Sequence, residues 1–436
     1  MGLEAHAFKV FAHLKASGGW PRLDTVVAQI VMTSDPTNVQ PSPHLSIAIF
    51  AWNEEDSIGG TLQSLLQQSL FGELSSRQLR CDVICVANGC TDRTAAVAQQ
   101  VFDATHGSHP FRNAWTGRAF NIPERGKLNA WNQFVHRLSA PDTRYFFMMD
   151  ADIMIHRTQT MWNMLGTLEN DAEASIAVDV PRKDISFKQR QSMGERLSMA
   201  ASRMTLAADG QLCGQLYCIR AEIARKIYMP RSLSACEDGL IKTLVCTDFL
   251  EHAALPSRIR VAPNAEHTFE AYTAPASILK NQKRQIIGQT MIHVLVDQYL
   301  KTLPAKDRAD LRVFIQNKDE TDPDWFKRLI AQHLARTRHC WALYPDLLRN
   351  RFNRLKKLSP IQRVLCYPAA LAASCAALAA SYLAYRSLKR GSTDYWPKAR
   401  RLGFAQNSAV NARSPGVGDP HPPARVMPAP ATIPQP

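Results

Sequence analysis

The sequence lacks the cysteine patterns that mark metal-binding or disulfide-linked domains. Its ten cysteines are spread over 436 residues, and no two of them form a CxxC pair. Cys81, Cys85 and Cys218 lie inside apolar runs, where a reduced cysteine behaves as a small core residue. We therefore expect reduced, structural cysteines and a cytosolic setting.

Acidic residues are scarce relative to basic ones. The chain has 52 Lys and Arg against 38 Asp and Glu, which gives a formal net charge of +14. Such a surplus favours anionic partners, namely nucleotides, phospholipid head groups or nucleic acid.

One short apolar run, Tyr145–Met149, ends in two acids, Asp150 and Asp152. A continuous run of this length predicts a buried strand in a parallel sheet. Side chains two residues apart on extended backbone point to the same face, so both carboxylates face one crevice. Paired carboxylates suit a hard divalent cation that also holds phosphate oxygens. The alternative, from these residues alone, is an ordinary Asp-rich turn.

Two earlier segments repeat the order of buried strand, polar cluster and helix. Leu45–Phe50 leads into residues 52–55, which end in Glu54 and Glu55, and Cys81–Ala87 leads into the polar residues 88–92. This alternation predicts βαβ units with right-handed crossovers and a parallel sheet. The polar clusters would then gather at one edge of the sheet, where ligands of open α/β sheets bind.

Five short motifs follow one another along the chain: AWNEEDSIGGTLQSLL, VANGCTDRTAAVA, GKLNAWN, MMDADI and CEDG. Their order and spacing resemble the family 2 glycosyltransferases of the GT-A fold. The resemblance implies a GT-A-like (Rossmann-like), mostly parallel sheet flanked by helices. It also implies a nucleotide-sugar donor, UDP- or GDP-linked, a divalent metal (Mn²⁺ or Mg²⁺) at the DxD-type motif, and inversion at the anomeric centre.

Carried over residue by residue, the resemblance assigns binding of the sugar donor to residues near the strand ends. These are Trp52, Asn53, Glu54, Glu55, Asn88, Asp92, Lys127, Asn132, Asp150 and Arg284. Trp52 would stack on the nucleobase, as an aromatic face can, and Lys127 would meet phosphate charge. The family often has an acid at the place of Ala87 or Asn88, so an amide or backbone contact to the base is expected here instead.

The resemblance also assigns the metal and the catalytic residues. Asp150 and Asp152 would bind the metal, with His267 as a third ligand, although a core histidine is the alternative for His267. Asp238 would be the general base and Glu237 would position it; the alternative for both acids is a helix cap. Because an acceptor hydroxyl needs a base and the leaving diphosphate needs positive charge, we expect base and metal on opposite sides of the sugar.

The segment Asn281–Gln285 departs from the QxxRW motif that processive members of the family carry. Only Arg284 remains, since Asn281 replaces the Gln and Gln285 replaces the Trp. This departure predicts addition of a single sugar rather than polymerisation. A basic helix on the surface would give the same pattern.

The composition divides the chain into five parts. We predict an N-terminal extension (1–44), a glycosyltransferase domain (45–300, with nucleotide-sugar binding in 45–152 and the acceptor half in 153–300), a basic helical region (301–363), a hydrophobic membrane-associated segment (364–387) and a disordered tail (388–436). Val364–Tyr385 has no charged residue and has basic flanks, which favours a membrane attachment that spans the bilayer or lies in its plane.

Residues 1–30 mix His, Lys and Arg into every apolar run, so we expect no secretory signal there. The resemblance implies a cytoplasmic protein at the inner face of the cytoplasmic membrane, with a lipid-linked or saccharide acceptor in glycolipid or exopolysaccharide synthesis, since many members of the family work there. One alternative is a sugar-nucleotidyltransferase, which needs a Gly/Arg-rich loop where residues 52–55 are acidic. The other is a basic nucleic-acid-binding or scaffold protein, which leaves the five motifs unexplained, so we expect no nucleic-acid partner.

Overall fold

The computed structural model describes residues 44–187, 208–271, 274–343 and 360–391. The predicted N-terminal extension and nearly all of the predicted tail lie outside these residues. So does the most basic part of the predicted helical region, residues 344–359.

An eight-stranded sheet lies at the centre of the described part of the chain. Its strands are β1 (Leu45–Ala51), β2 (Cys81–Asn88), β3 (Trp115–Ile122), β4 (Tyr145–Asp150), β5 (Ile153–Met154), β6 (Ile176–Lys183), β7 (Leu216–Arg220) and β8 (Ile259–Phe269). Their order across the sheet is β3-β2-β1-β4-β7-β6-β8-β5. Strands β3, β2, β1 and β4 are parallel to one another. Strand β7 is antiparallel to both of its neighbours, β4 and β6. Strand β8 is parallel to β6, and β5 is antiparallel to β8.

Helices cover both faces of this sheet. In chain order they are α1 (Ile58–Leu66), α2 (Leu70–Ser76), α3 (Thr94–His106), α4 (Lys127–Gln133), α5 (Thr160–Asn170), α6 (Ala221–Ala224), α7 (Glu237–Cys246), α8 (Pro275–Val296), α9 (Ala305–Arg308), α10 (Leu311–Thr321), α11 (Trp325–Arg336) and α12 (Pro360–Lys389).

Alternate strand residues point to opposite faces, so the central strands bury side chains in two cores. Ile47 and Val83 belong to the core that α1, α2, α3 and α5 cover. Ala48 and Ile84 belong to the core that α4, α7, α8 and α10 to α12 cover. Burial on both faces explains why these strands read as continuous apolar runs. The predicted α/β fold, with a mostly parallel sheet flanked by helices, is confirmed.

The register of the parallel strands brings their carboxyl ends together. Phe50 of β1 pairs with Asp150 of β4, and Ala51 of β1 pairs with Ala87 of β2. The polar residues that follow β1, β2 and β4 therefore start at one edge of the sheet, as the sequence predicts.

The helices after residue 300 share a core with the sheet. Leu311, Trp325 and Phe326 are buried in the same cluster as Ala48 of β1, and Ala380 of α12 joins them. The cores show no break at residue 300, and the proposed division of the chain there stays a prediction. Among the described residues, no helix combines the length and apolar character needed to cross a bilayer.

Helix α8 packs closely on the start of α7. The residue before α7, Cys236, adopts φ 63°, which is uncommon for a residue with a Cβ. A Cβ on Gly288 of α8 would overlap Cys236 Sγ and lie 2.7 Å from Cys236 Cβ. Gly288 thus lets α8 approach the backbone that presents Glu237 and Asp238.

Gly288→Ala is expected to destabilise the protein by about 1–3 kcal/mol, because overpacking forces the start of α7 to shift. Gly59→Ala in α1 is the matched control, since a Cβ at Gly59 meets no atom within 4 Å. That control is expected to be neutral or more stable by up to about 1 kcal/mol. Thermal unfolding of both variants measures the difference, and equal melting temperatures would contradict this account of α7 and α8.

Candidate active site

Lys127 lies between the carboxyl edge of the sheet and the start of α7. It is the first residue of α4 and follows Gly126, whose φ of 149° favours glycine. Its Nζ lies 2.5 Å from Asp150 Oδ1 and 2.8 Å from Glu237 Oε1. The same ammonium donates a hydrogen bond to the Gly214 carbonyl oxygen at 2.9 Å. One buried lysine therefore joins the end of β4 to the first residue of α7.

Burial and mutual charge shift the pKa of all three members of this triad, Lys127, Asp150 and Glu237. Burial disfavours the ammonium, but the carboxylates of Asp150 and Glu237 outweigh it and raise the pKa of Lys127 above its ordinary value. Burial also disfavours ionised Glu237, yet Lys127 brings the pKa of Glu237 below its usual range. Burial raises the pKa of Asp150 to about 7; Lys127 opposes that rise and Asp152 adds to it. Lys127 and Glu237 thus form a charged pair inside the protein.

Asp238 lies beside this triad, on the next residue of α7. Its Oδ1 accepts a hydrogen bond from the Gly239 backbone N–H at 2.8 Å. Burial, together with the negative charge of Glu237, raises the pKa of Asp238 to about 6. The helix-capping position belongs to Cys236, and neither acid occupies it. Asp238 is therefore a carboxylate whose pKa suits proton uptake near neutral pH.

Arg284 of α8 is 7% exposed, so α8 does not present it to solvent. Its positive charge lowers the pKa of both Glu237 and Asp238. The structure thus brings the arginine of the incomplete QxxRW motif to the acids of α7.

The acidic loop after β1 is tied to the loop after β2 by side-chain hydrogen bonds. Asn53 Oδ1 accepts from the Thr91 N–H at 2.7 Å, and Glu55 Oε2 accepts from the Arg93 N–H at 3.0 Å. Asp92 accepts from the N–H groups of Thr94 and Glu55. The Glu54 carboxylate accepts from Ser57 at 2.6 Å. These predicted donor-binding side chains hold the two loops together, while direct contact with a sugar donor stays a prediction.

Two predicted donor-binding amides also bond to backbone. Asn88 donates to the Ala51 carbonyl oxygen at 2.8 Å and accepts from the Gly126 N–H at 3.0 Å. Asn132 bonds to both backbone groups of Met229, at 2.8 and 3.0 Å. Asn88 therefore fixes the turn that carries Lys127, and Asn132 fixes the segment that leads to α7.

The Trp52 ring is covered on one face. The guanidinium carbon of Arg125 lies 3.4 Å from the ring centroid, a close cation–π contact. Gly89, with φ 60°, makes this possible, because a Cβ there would lie 2.7 Å from Arg125 Cα. Sequence reasoning missed Arg125, although it directly precedes the GK pair.

The predicted metal ligands Asp150, Asp152 and His267 differ in their exposure and in their bonding partners. Asp152 is exposed at the end of β4, close enough for its charge to raise the pKa of Asp150. His267 is fully buried, and its Nδ1 lies 2.7 Å from Asp179 Oδ2 while Nε2 lies 3.4 Å from Gln215 Oε1. Within the described residues, no group of three or more His, Cys, Asp or Glu side chains is placed to hold a metal ion. Asp150 and Asp152 are thus the pair at the edge, and the role of His267 stays a prediction.

The carboxyl edge of the sheet therefore combines two acids at the end of β4, a buried lysine, two acids at the start of α7 and a nearby arginine. These are Asp150, Asp152, Lys127, Glu237, Asp238 and Arg284. Such a set can bind a diphosphate with its cation and take up a proton from a nearby hydroxyl.

Residues 46–220 match the profile of glycosyl transferase family 2. A comparison with curated proteins finds no match. Among solved structures, residues 1–349 of S. aureus TarS with UDP-GlcNAc are similar at 14% identity and TM-score 0.36, covering 80% of this chain and 92% of that one.

Glucosyl-3-phosphoglycerate synthase from Mycobacterium tuberculosis, in complex with Mn²⁺, UDP-glucose and phosphoglyceric acid, is similar at 15% identity and TM-score 0.37, covering 57% of this chain and 79% of that one. Similarities at this level assign neither a substrate nor a metal to this chain.

The family match covers β1 to β7, including Lys127 and Asp150. Residues 46–220 are thus similar to glycosyl transferase family 2, and the described fold is GT-A-like. The resemblance that the five motifs predict is thereby confirmed.

Lys127→Met is expected to destabilise the protein by about 3–5 kcal/mol, because it leaves the buried Glu237 and the largely buried Asp150 without their cation. Lys242→Met is the matched control, since Lys242 is a solvent-accessible lysine that donates to Gln211. Denaturant unfolding compares the two variants. If both lose the same small amount of stability, Lys127 does not hold the site together.

Proposed function

We propose that the protein transfers one sugar from a nucleotide-sugar donor to a hydroxyl acceptor, with a divalent metal and with inversion at the anomeric carbon. The observation that carries the proposal is the Asp150–Lys127–Glu237 bridge, with Asp238 directly beside it. It puts positive charge next to the metal-type acids and a carboxylate of raised pKa next to the same centre. A sugar-nucleotidyltransferase or a nucleic-acid-binding protein needs no such base.

In the proposed reaction the acceptor hydroxyl oxygen attacks the anomeric carbon of the donor sugar. Asp238 takes the hydroxyl proton as the new C–O bond forms, since a neutral hydroxyl is a weak nucleophile. The bond between the anomeric carbon and the diphosphate oxygen breaks, and the nucleoside diphosphate leaves with the electron pair. Attack from the face opposite the leaving group inverts the anomeric centre.

Lys127 and Arg284 have the charge to stabilise the diphosphate as its negative charge grows. Lys127 also keeps Glu237 ionised and in place, so Glu237 positions the backbone that carries Asp238. We expected base and metal on opposite sides of the sugar. That arrangement stays our proposal: the short link through Lys127 supports placing Glu237 on the phosphate side, while Asp238 alone faces the acceptor.

Asp150 and Asp152 fit a hard cation that takes most of its ligands from elsewhere. Mg²⁺ commonly uses one or two protein carboxylates and completes its shell with phosphate oxygens and water. The exposed Asp152 and the partly exposed Asp150 provide such a pair at the carboxyl edge of the sheet. Bound there, the metal would neutralise diphosphate charge.

Trp52 provides the surface for the nucleobase, on the ring face away from Arg125 or after Arg125 moves aside. Ala87 offers no side chain to read the base and the Asn88 amide is already bonded to Ala51 and Gly126. Stacking and backbone contacts would therefore bind a UDP- or GDP-linked sugar. The proposed acceptor is a lipid-linked or saccharide hydroxyl, in glycolipid or exopolysaccharide synthesis.

Asp152→Asn is expected to abolish transfer and the metal-dependent rise in melting temperature with nucleoside diphosphate, because it removes one of two cation ligands. Asp103→Asn, an exposed acid of α3, is the control. Thermal shift with UDP or GDP, with and without Mn²⁺, measures the effect. Full transfer in excess chelator would refute the metal assignment.

Asp238→Asn is expected to reduce kcat by about two to four orders of magnitude while the affinity for the sugar donor persists. Wild-type turnover should fall as the pH drops below about 6, because the pKa of Asp238 is raised to about 6 and a protonated carboxyl cannot accept the hydroxyl proton. The variant should lose this acid limb of the pH profile. Near wild-type turnover would place the base elsewhere, with Glu237 the next candidate.

A further inference from the structure

Helix α12 exposes several large apolar side chains. Tyr367, Leu371, Leu378, Tyr382 and Leu383 are 55%, 53%, 40%, 51% and 37% exposed. Tyr367, Leu371, Leu378 and Tyr382 recur at helical spacing and share one face, here called the outer stripe, while Leu383 lies about 100° further round the helix. Contiguous exposed apolar surface of this kind marks an interaction site rather than an ordinary solvated helix.

The opposite face of α12 is built from small residues. Ser374, Ala377, Ala380, Ser381 and Ala384 are buried, and the helix contacts α8 and α11. Among the α12 side chains that the structure describes, packing against the domain thus uses these small residues together with the partly buried Tyr385 and Leu388. In a helix whose outer face meets water, large apolar side chains usually point inward, so the exposed Leu371 and Leu378 of α12 depart from the usual distribution.

Basic residues flank the outer stripe in the sequence on both sides, and no charged residue lies between its ends. The sequence from Val364 to Tyr385 has no charged residue. Arg386, Lys389 and Arg390 follow it, and the Arg386 guanidinium carbon lies 5.8 Å from the Tyr382 ring. Several basic residues precede it in the sequence: Arg349, Arg351, Arg354, Lys356, Lys357 and Arg363. An apolar strip with tyrosines near both ends and cations beyond them has the composition of a helix that lies in a membrane interface.

We propose that the outer stripe of α12 docks on an anionic phospholipid surface and that the helix lies in the plane of that surface. The stripe would bury its leucines and tyrosines at the level of the head groups, and the flanking cations would bind lipid phosphates. The buried face stays on α8 and α11, so the helix lies along the bilayer without leaving the domain.

Lipid fits this face better than a second copy of the chain. Both ends of α12 are basic in sequence, so two copies packed through the stripe would bring like charges together in either relative direction. The surplus of +14 over the whole chain adds to that repulsion and to the attraction for anionic lipid.

The proposal goes beyond the transfer reaction, since it rests on α12 and not on the active site. It has a consequence for the acceptor, because α8 contacts both α12 and the residue before Glu237. One helix then separates the lipid surface from the catalytic acids. Attachment to the inner face of the cytoplasmic membrane is the proposed location.

The test is flotation of the full chain with vesicles of zwitterionic lipid, with and without anionic phosphatidylglycerol. The double variant Leu371→Gln/Leu378→Gln alters two exposed residues of the stripe. Leu255→Gln/Val313→Gln alters two residues that are equally exposed elsewhere and serves as the control. Because all four side chains are exposed, the melting temperature of both variants should equal that of the wild type.

Wild type and control should float with the anionic vesicles, and the stripe variant should lose at least about tenfold in partitioning. High salt or purely zwitterionic lipid should weaken binding of the wild type. Absence of flotation by the wild type, or equal flotation by the stripe variant, would overturn the proposal. A concentration-dependent dimer that the stripe variant abolishes, without lipid binding, would assign the face to a second copy.

Discussion

The described structure depends on one buried ammonium. An unpaired charge inside a protein is costly, so Lys127 requires anionic partners, and it finds them on two separate parts of the chain. Asp150 comes from the end of a central strand and Glu237 from the start of a helix that follows it much later. Glu237 is buried and Asp150 is only partly exposed, so both acids need the lysine. The three charges therefore fix the position of α7 relative to the parallel half of the sheet.

Several neighbouring features serve this arrangement. Asn88 bonds to the Gly126 N–H and so fixes the turn that carries Lys127. Gly214 offers its carbonyl oxygen to the ammonium, and a Cβ there would come within 3.2 Å of Glu237 Oε1. Gly288 admits α8 against the residue before Glu237. The precise placement of Asp238, on which the proposed chemistry relies, follows from these contacts rather than from its own hydrogen bonds.

Sequence patterns predicted the parts of the fold that burial dictates. β1, β2 and β4 are buried on both faces, so they read as apolar runs, and their polar ends gather as expected. β3 was missed because Arg118 and Asn121 interrupt any such run. The sequence predicted which residues belong to the site, but not the hydrogen bonds and ion pairs that join them. Spacing cannot show that Asn53 and Glu55 bond across loops, nor that Lys127 pairs with Glu237, since these contacts depend on tertiary geometry.

A double-mutant cycle between Lys127 and Glu237 tests the central claim most directly. Unfolding free energies of Lys127→Met, Glu237→Gln and the double variant give the coupling between the two side chains. The account predicts that the double variant is more stable than the sum of the single losses by about 1–3 kcal/mol, as for groups in one buried network. Strict additivity would contradict it, because independent residues cannot hold α7 to the sheet.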